Sequence, residues 1–147
     1  MAGEVLVIAK IKQKSGTFKI LEVMDLDGLR QSPALFVAGT LAVGENKCTY
    51  PLLAPFNGTI KKVWLIVKTA PVGANIVVKI KKEGTSITTD ANRPLIGAGN
   101  RKGSATIFSV TAVTEGDEFT IDVDQVGSST AGSDLSAFIC IEPSQPS

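Results

Sequence analysis

The amino-acid sequence predicts an all-β protein, built as an antiparallel two-sheet β-sandwich. Alternating apolar and polar runs are separated by glycine- and proline-containing turns every eight to twelve residues or so, which is typical of sandwiches. No long stretch of the 147 residues shows a helical period. The composition is 44% hydrophobic but only 5% aromatic, and a chain of this size that is rich in Val, Ile and Thr can bury one β-sheet core.

The amino-terminal segment, residues 1–39, is predicted to be a hairpin or an extended arm. Residues 4–11 and 17–23 are apolar, strand-like runs joined by a Ser-Gly turn. Residues 29–37 contain a proline and are predicted to be irregular or an edge strand. Two roles stay open for the segment: it covers a sheet edge, or it attaches the chain to a neighbouring subunit.

The centre of the chain is predicted to be two long strands joined by a tight turn. In the run Gly58–Thr69, apolar residues occupy both alternating sets of positions around Trp64. A strand that is apolar on both faces is expected in the middle of the structure, with Trp64 substantially buried. A turn is predicted at 70–74, and the alternation that begins at Ile76 predicts a second strand with one solvated face.

The remaining chain is predicted to alternate between loops and strands. Residues 87–100 are rich in Thr, Asn, Pro and Gly and are expected to form a loop with a short extended piece at 94–96. Further strands are predicted at 103–110, 119–123 and 135–142, with a loop at 127–133 and a polar tail at 143–147. The two loops are expected to face outward or toward sister copies.

The residue types present argue against most catalytic and metal chemistry. The chain has no histidine, the commonest general base and metal ligand. The carboxylate pairs Asp122/Asp124 and Asp117/Glu118 are expected to hydrate a strand face rather than to act as acid and base. We therefore predict a protein that is not an enzyme, with no catalytic, cofactor-binding or metal-binding residues.

Cys48 and Cys140 are the only cysteines. Their spacing fits no metal-binding or redox motif. Two interpretations stay open: buried thiols that pack as small apolar side chains, or a disulfide that ties the last strand to the segment before Pro51.

Three short motifs are interpreted as loops or turns. Asp25-x-Asp27-Gly28 has the opening of a calcium loop but not its later ligands. The glycine-rich residues 97–103 fit neither a phosphate-binding nor a dinucleotide-binding loop. Asn57-Gly58-Thr59 is formally a glycosylation triplet, and we interpret it as the turn before the central strand.

Charge is distributed unevenly along the chain. All 15 Lys and Arg, with 7 acids, lie in residues 1–102, whereas residues 103–147 hold the other 7 acids and no base. One interpretation is that Lys79 and Lys81 face Asp122 and Asp124 across neighbouring strands. The other is that basic and acidic faces of adjacent copies meet in an oligomer.

Nucleic acid and membranes are not expected partners. The basic positions lack interleaved aromatic residues, and the acidic part would repel phosphate. The sequence has neither a membrane-spanning run nor a secretory signal, so we expect synthesis in the cytoplasm.

Three segments together resemble a recurring jelly-roll-like domain of tailed-bacteriophage structural proteins. They are APFNGTIKKVWLIVKTAPVGANIVVKIKKEGTSI, ANRPLIGAGN and EGDEFTIDVDQVGSSTAGSDLSAFI. They contain a Pro-Phe-x-Gly-Thr-Ile opening, an Ala-Pro-x-Gly-Ala turn, an Asn-Arg-Pro-x-Ile segment and an Asp-x-Asp-Gln-Val-Gly-Ser close. The resemblance covers about residues 40–142, which implies one jelly-roll-like sandwich there.

The resemblance implies a virion protein used in many copies, on the capsid surface or in the tail, fibre or baseplate. Its expected partners are other virion proteins and sister copies. About residues 1–37, which lie outside the resemblance and are apolar and rich in lysine, are expected to make most of the contacts that attach the chain to its particle. The competing class is a module that binds a host-surface glycan or receptor. Sugar sites usually offer exposed aromatic platforms, and one Trp and one Tyr supply few.

Overall fold

The computed structural model describes residues 10–14, 17–22 and 33–144 of the protein. The chain divides into two units, Met1–Gln31 and Ser32–Ser147. The strands are β1 Lys10–Lys14, β2 Thr17–Glu22, β3 Ala34–Thr40, β4 Leu52–Leu53, β5 Gly58–Thr69, β6 Ile76–Lys82, β7 Thr85–Ser86, β8 Leu95–Ile96, β9 Lys102–Ala105, β10 Ala112–Val113, β11 Glu118–Gln125 and β12 Ser133–Pro143.

The first unit contains an antiparallel hairpin of β1 and β2, with Lys14 opposite Thr17. The predicted hairpin is therefore confirmed, although its first strand runs to Lys14 rather than ending at Ile11. Residues 4–9, residue 23 and the Asp25-x-Asp27-Gly28 motif lie outside the described residues. The attachment role of this segment stays a prediction.

The second unit is an antiparallel β-sandwich, which confirms the predicted fold class. Sheet 1 has the order β10-β5-β12-β3, with β9 also paired to β5, and sheet 2 has the order β4-β11-β6-β7, with β8 also paired to β6. From β3 to β6 the chain changes sheet at every strand. Segments far apart in sequence therefore become neighbours, as β5 and β12 do in the middle of sheet 1.

The core lies between the inner faces of the two sheets and is almost wholly aliphatic. Its fully buried members include Val63 and Leu65 of β5, Ile139 of β12, and Phe119 and Ile121 of β11. Each such side chain contributes about 1.5–3 kcal/mol by leaving water. The alternation predicted for β5 and β11 is confirmed, because Val63, Leu65 and Val67 of β5 and Phe119, Ile121 and Val123 of β11 are buried.

The sandwich begins earlier than the predicted boundary at residue 40. The strand β3, which spans Ala34–Thr40, pairs with β12 and places Leu35 and Val37 in the core. The predicted edge strand is confirmed, since β3 is the last strand on its side of sheet 1. Pro33 directly precedes it, where a missing N–H does not interrupt the strand pairing.

Three details of the second unit differ from, or refine, the expectations. The strand predicted at 103–110 is shorter, because only Lys102–Ala105 pairs with β5. The extended piece predicted within 94–96 is confirmed as β8. Gly58, which was expected in the turn before the central strand, is the first residue of β5 and permits close packing, because an added Cβ would lie 2.4 Å from the carbonyl oxygen of Glu142.

The prediction that Trp64 is substantially buried is wrong: its relative exposure is 42%. The strand β5 is central within its sheet, with β12 on one edge and β9 and β10 on the other. That pairing occupies both edges of β5, and sheet 2 packs on its inner face. Within residues 33–144 no second layer lies over the outer face, so Trp64 and Ile66 project outward from sheet 1.

Candidate interaction surface

The outer face of sheet 1 carries a group of large apolar side chains. Strand register aligns two rows across the sheet, Phe36-Ser136-Ile66-Lys102 and Ala34-Phe138-Trp64-Ser104. Phe36 is 40% exposed, and Ile66 and Phe138 are half-buried. Their neighbours along each strand point into the core, so these side chains point away from it. We call Phe36, Trp64, Ile66 and Phe138 the aromatic face.

A shallow depression of about 290 Å³ lies on this face. Trp64, Ile66, Phe138 and Cys140 line it, and Lys102 closes one side. The Nζ atom of Lys62 lies 3.9 Å from the centroid of the Trp64 ring. A cation at that distance is attracted to the ring face, so one side of the indole already has a partner.

The aromatic face has a basic border. Lys62 and Lys68 stand at alternate positions on either side of Trp64 and Ile66 in β5, and Lys102 is the register partner of Ile66. The five strands of sheet 1 contain four Lys or Arg and two Asp or Glu. This surface therefore carries an excess of positive charge.

The sequence contained a signal for this exposed face that the prediction missed. Lys62, Trp64, Ile66 and Lys68 occupy the same side of β5, since side chains alternate across a strand. Two lysines on one face indicate contact with water, because a buried lysine needs an ionic partner. The apolar pair between them was interpreted as buried because, with Val63, Leu65 and Val67, it makes the strand apolar on both faces.

Sheet 2 carries a network of ion pairs instead. The Lys81 Nζ atom lies 2.7 Å from Asp122 Oδ2 and 3.1 Å from Glu45 Oε1. Asp122 is only 4% exposed, and its Oδ1 accepts a hydrogen bond of 2.9 Å from the Asn46 backbone N–H. The hydrogen bonds to Asp122 and then Glu45 raise the pKa of Lys81 above its ordinary value.

The predicted pairing of lysines with the β11 carboxylates is confirmed in part. Lys81 pairs with Asp122, but Lys79, its direct register partner, makes no ion pair among the described residues. Asp124 is bound by Arg93 at 2.7 Å. Both carboxylates therefore have structural cations as partners.

The second carboxylate pair is also divided between different environments. Asp117 accepts hydrogen bonds from the Thr114 backbone N–H at 2.8 Å and from Lys82 Nζ at 3.1 Å. The Thr114 bond, with Lys82 as a further contribution, lowers the pKa of Asp117 below its ordinary value. Glu118 is exposed, and its backbone N–H donates to the Glu83 carboxylate at 2.7 Å.

The two cysteines are not joined by a disulfide, so that interpretation is wrong. Cys48 packs against the core from the segment before β4. Cys140 lines the depression on the outer face of sheet 1. The thiols are therefore on different sides of the sheet, and both are half-buried.

The loop motifs have structural partners. The Asn57 side chain accepts a hydrogen bond of 2.7 Å from the Glu115 N–H, which joins the turn before β5 to the turn before β11. In the glycine-rich segment the Gly99 N–H donates to the Pro71 carbonyl at 2.7 Å. Among the described residues no three His, Cys, Asp or Glu side chains are grouped so that they could hold a metal ion.

Comparison with known proteins gives no relative: no family model matches the chain, and neither does any curated protein at a significant level. Within residues 10–14, 17–22 and 33–144, no helix is long and apolar enough to span a membrane.

Proposed function

We propose that this chain is a non-enzymatic structural protein of a tailed-bacteriophage virion. It decorates or reinforces the capsid surface, or forms part of the tail or fibre apparatus, and it works through contacts with other virion proteins and sister copies. The sandwich provides a rigid frame, and its outer surfaces provide the contacts.

The observation that carries this proposal is the aromatic face. Large apolar side chains grouped on a regular sheet, with a charged border, are typical of protein interaction sites. Trp64 is 42% exposed and Phe36 is 40% exposed on the same outer face of sheet 1, where the half-buried Ile66 and Phe138 also lie. Single exposed apolar side chains are common on folded proteins, whereas a group of them on one face favours a binding role.

The segments that resemble phage structural proteins support the virion context. In this chain they form the frame: the Arg93 side chain of the Asn-Arg-Pro-x-Ile segment binds Asp124 of the Asp-x-Asp-Gln-Val-Gly close. The Gly73 turn has a φ of +89°, which glycine adopts without strain. Residues shared for such reasons preserve a scaffold, as a structural protein requires.

Immunogold electron microscopy tests the virion role. Antibodies raised against the chain should label one defined part of phage particles purified after induction or infection of the host. A label confined to the capsid, or to the tail, also decides between the two locations. Particles that carry no label, from lysates in which the antibody detects the chain, would refute the proposal.

A glycan-binding module is the second candidate, and the exposed aromatic residues favour it. Trp64 and Phe138 are cross-strand partners that together offer a small aromatic platform. The Lys62 ammonium over the indole competes with a sugar for that ring face. Titration with host-surface polysaccharides, followed by Trp64 fluorescence, decides: saturable quenching that Phe138→Ala weakens supports this candidate over the first.

A further inference from the structure

A second exposed apolar surface lies on the opposite sheet. The segment before and within β4 runs along the free edge of β11, where Gly44 pairs with Val123 and Leu53 pairs with Glu118. Tyr50 in this segment is 72% exposed, and Leu53 is 62% exposed. Leu52 packs against the core, so the adjacent Leu53 points away from it.

The charge of this second surface is opposite to that of the aromatic face. Glu118 lies beside Leu53, and its N–H binds the carboxylate of Glu83. Neither glutamate forms an ion pair within the described part of the chain, whereas the nearby Asp117 is neutralised by Lys82. We call Tyr50, Leu53, Glu83 and Glu118 the acidic edge.

We propose that the aromatic face of one copy binds the acidic edge of a second copy of this chain. Each surface joins exposed apolar side chains to unneutralised charge, and the two charges have opposite signs. The apolar groups provide the contact area, while lysines opposite glutamates select the partner and its orientation. This inference deepens the proposed function and rests on it, because a protein used in many copies needs contacts between sister copies.

The contact is heterologous rather than face to face. Two aromatic faces packed on each other would bring Lys62, Lys68 and Lys102 of both copies to one interface, where like charges repel. Within a single copy, Leu53 and Trp64 project from the outer faces of opposite sheets, so they cannot meet. A heterologous contact repeats from copy to copy and produces a closed ring or an open chain.

Trp64 provides the first test because it is the only tryptophan and lies in the proposed contact. The full 147-residue chain should show concentration-dependent association in sedimentation velocity. Over the same range, acrylamide quenching of Trp64 should fall and its emission should shift to shorter wavelength. A chain that stays monomeric at high concentration in low salt, or one that associates with unchanged Trp64 quenching, would overturn the inference.

Two isoleucine-to-serine substitutions test whether association depends on the aromatic face or on exposed apolar residues in general. Ile66→Ser should weaken association by about tenfold, since it removes buried apolar area from the contact. Ile107→Ser is the control of the same residue type, because Ile107 is 62% exposed and is not among the residues that line the depression on the aromatic face. Equal effects of the two substitutions would contradict the assignment of the surface.

A charge exchange tests the pairing itself and uses only exposed residues, so the fold is retained. Lys102→Glu lowers the charge of the aromatic face, where Lys62 and Lys68 remain, and Glu118→Lys cancels the charge of Glu83 on the acidic edge. Each variant alone should associate roughly threefold to tenfold more weakly. An equimolar mixture should recover association, because the unchanged aromatic face of the Glu118→Lys chain can then bind the unchanged acidic edge of the Lys102→Glu chain.

The controls make each outcome decisive. Asp90→Lys changes the net charge as Glu118→Lys does, but it lies outside both surfaces and should leave association unchanged. A mixture that associates no better than its components would refute the heterologous pairing. Particles that carry the immunogold label although the chain is monomeric would refute the pairing alone and leave the proposed function standing.

Discussion

Replacement of Lys81 by methionine removes the cation that neutralises the buried carboxylate of Asp122. The two side chains are 2.7 Å apart, and Asp122 keeps only one other described partner, the Asn46 N–H. Removing one member of a buried pair costs about 3–5 kcal/mol when the remaining charge has no access to water. The Lys81 side chain is 19% exposed, so water reaches the site, and we expect a loss of about 2 kcal/mol.

Lys79 offers a matched control for this experiment. It lies on the same face of β6 and is the direct register partner of Asp122, yet the ion pair is made by Lys81. Lys79→Met should therefore change the free energy of unfolding by less than about 0.5 kcal/mol. Both values follow from urea unfolding monitored by circular dichroism at neutral pH. Equal losses for the two substitutions would refute the assigned pairing.

Three further predictions concern the frame. The pKa of Asp117 is lowered in the folded state, so folding favours its ionised form. Its contribution to the free energy of unfolding is fully present above the ordinary aspartate pKa and is lost as the pH falls through the pKa of the folded state. In the Asp117→Asn variant the free energy of unfolding should therefore fall less steeply as the pH is lowered, as measured by urea unfolding at several acidic pH values. The same pH dependence in the variant and the unaltered chain would contradict this. Replacing Cys48 and Cys140 by alanine should preserve the fold with some loss of stability, seen as a lower thermal midpoint. A chain that starts at Ser32 should fold. A chain that starts at Ala38 lacks two core residues of β3 and should unfold at a lower urea concentration. Equal urea midpoints for the two chains would contradict a sandwich that begins at Ser32.

Alternation of side chains predicted most of the fold from the sequence. The buried set of β11 and the extent of β12 follow from a period of two residues, which is a local property of a strand. The hairpin of β1 and β2 was predictable for the same reason, because a short turn joins neighbouring strands. The predicted loop around residues 87–100 likewise depends on glycine and proline, which act locally.

The sequence predicted which strands exchange charged contacts, but not which side chains form each ion pair. Alternation along the chain placed Lys79 and Lys81 on one face of β6, and Asp122 and Asp124 on one face of β11. Pairing of these lysines with these carboxylates on neighbouring strands could be proposed from the sequence alone. Register and side-chain reach then selected Lys81 for Asp122, while Arg93 reached Asp124 from a separate segment. Such choices depend on atoms brought together by the tertiary structure.

The sequence by itself determined that this chain is a β-sandwich without histidine chemistry, because composition and alternation are local properties that persist in the folded state. Only the tertiary structure decided which apolar faces are covered. An apolar strand face is buried when another layer packs on it, and the position of that layer depends on the whole chain topology. Trp64 was expected to be buried because its strand is apolar on both faces, but the outer face of sheet 1 leaves it exposed.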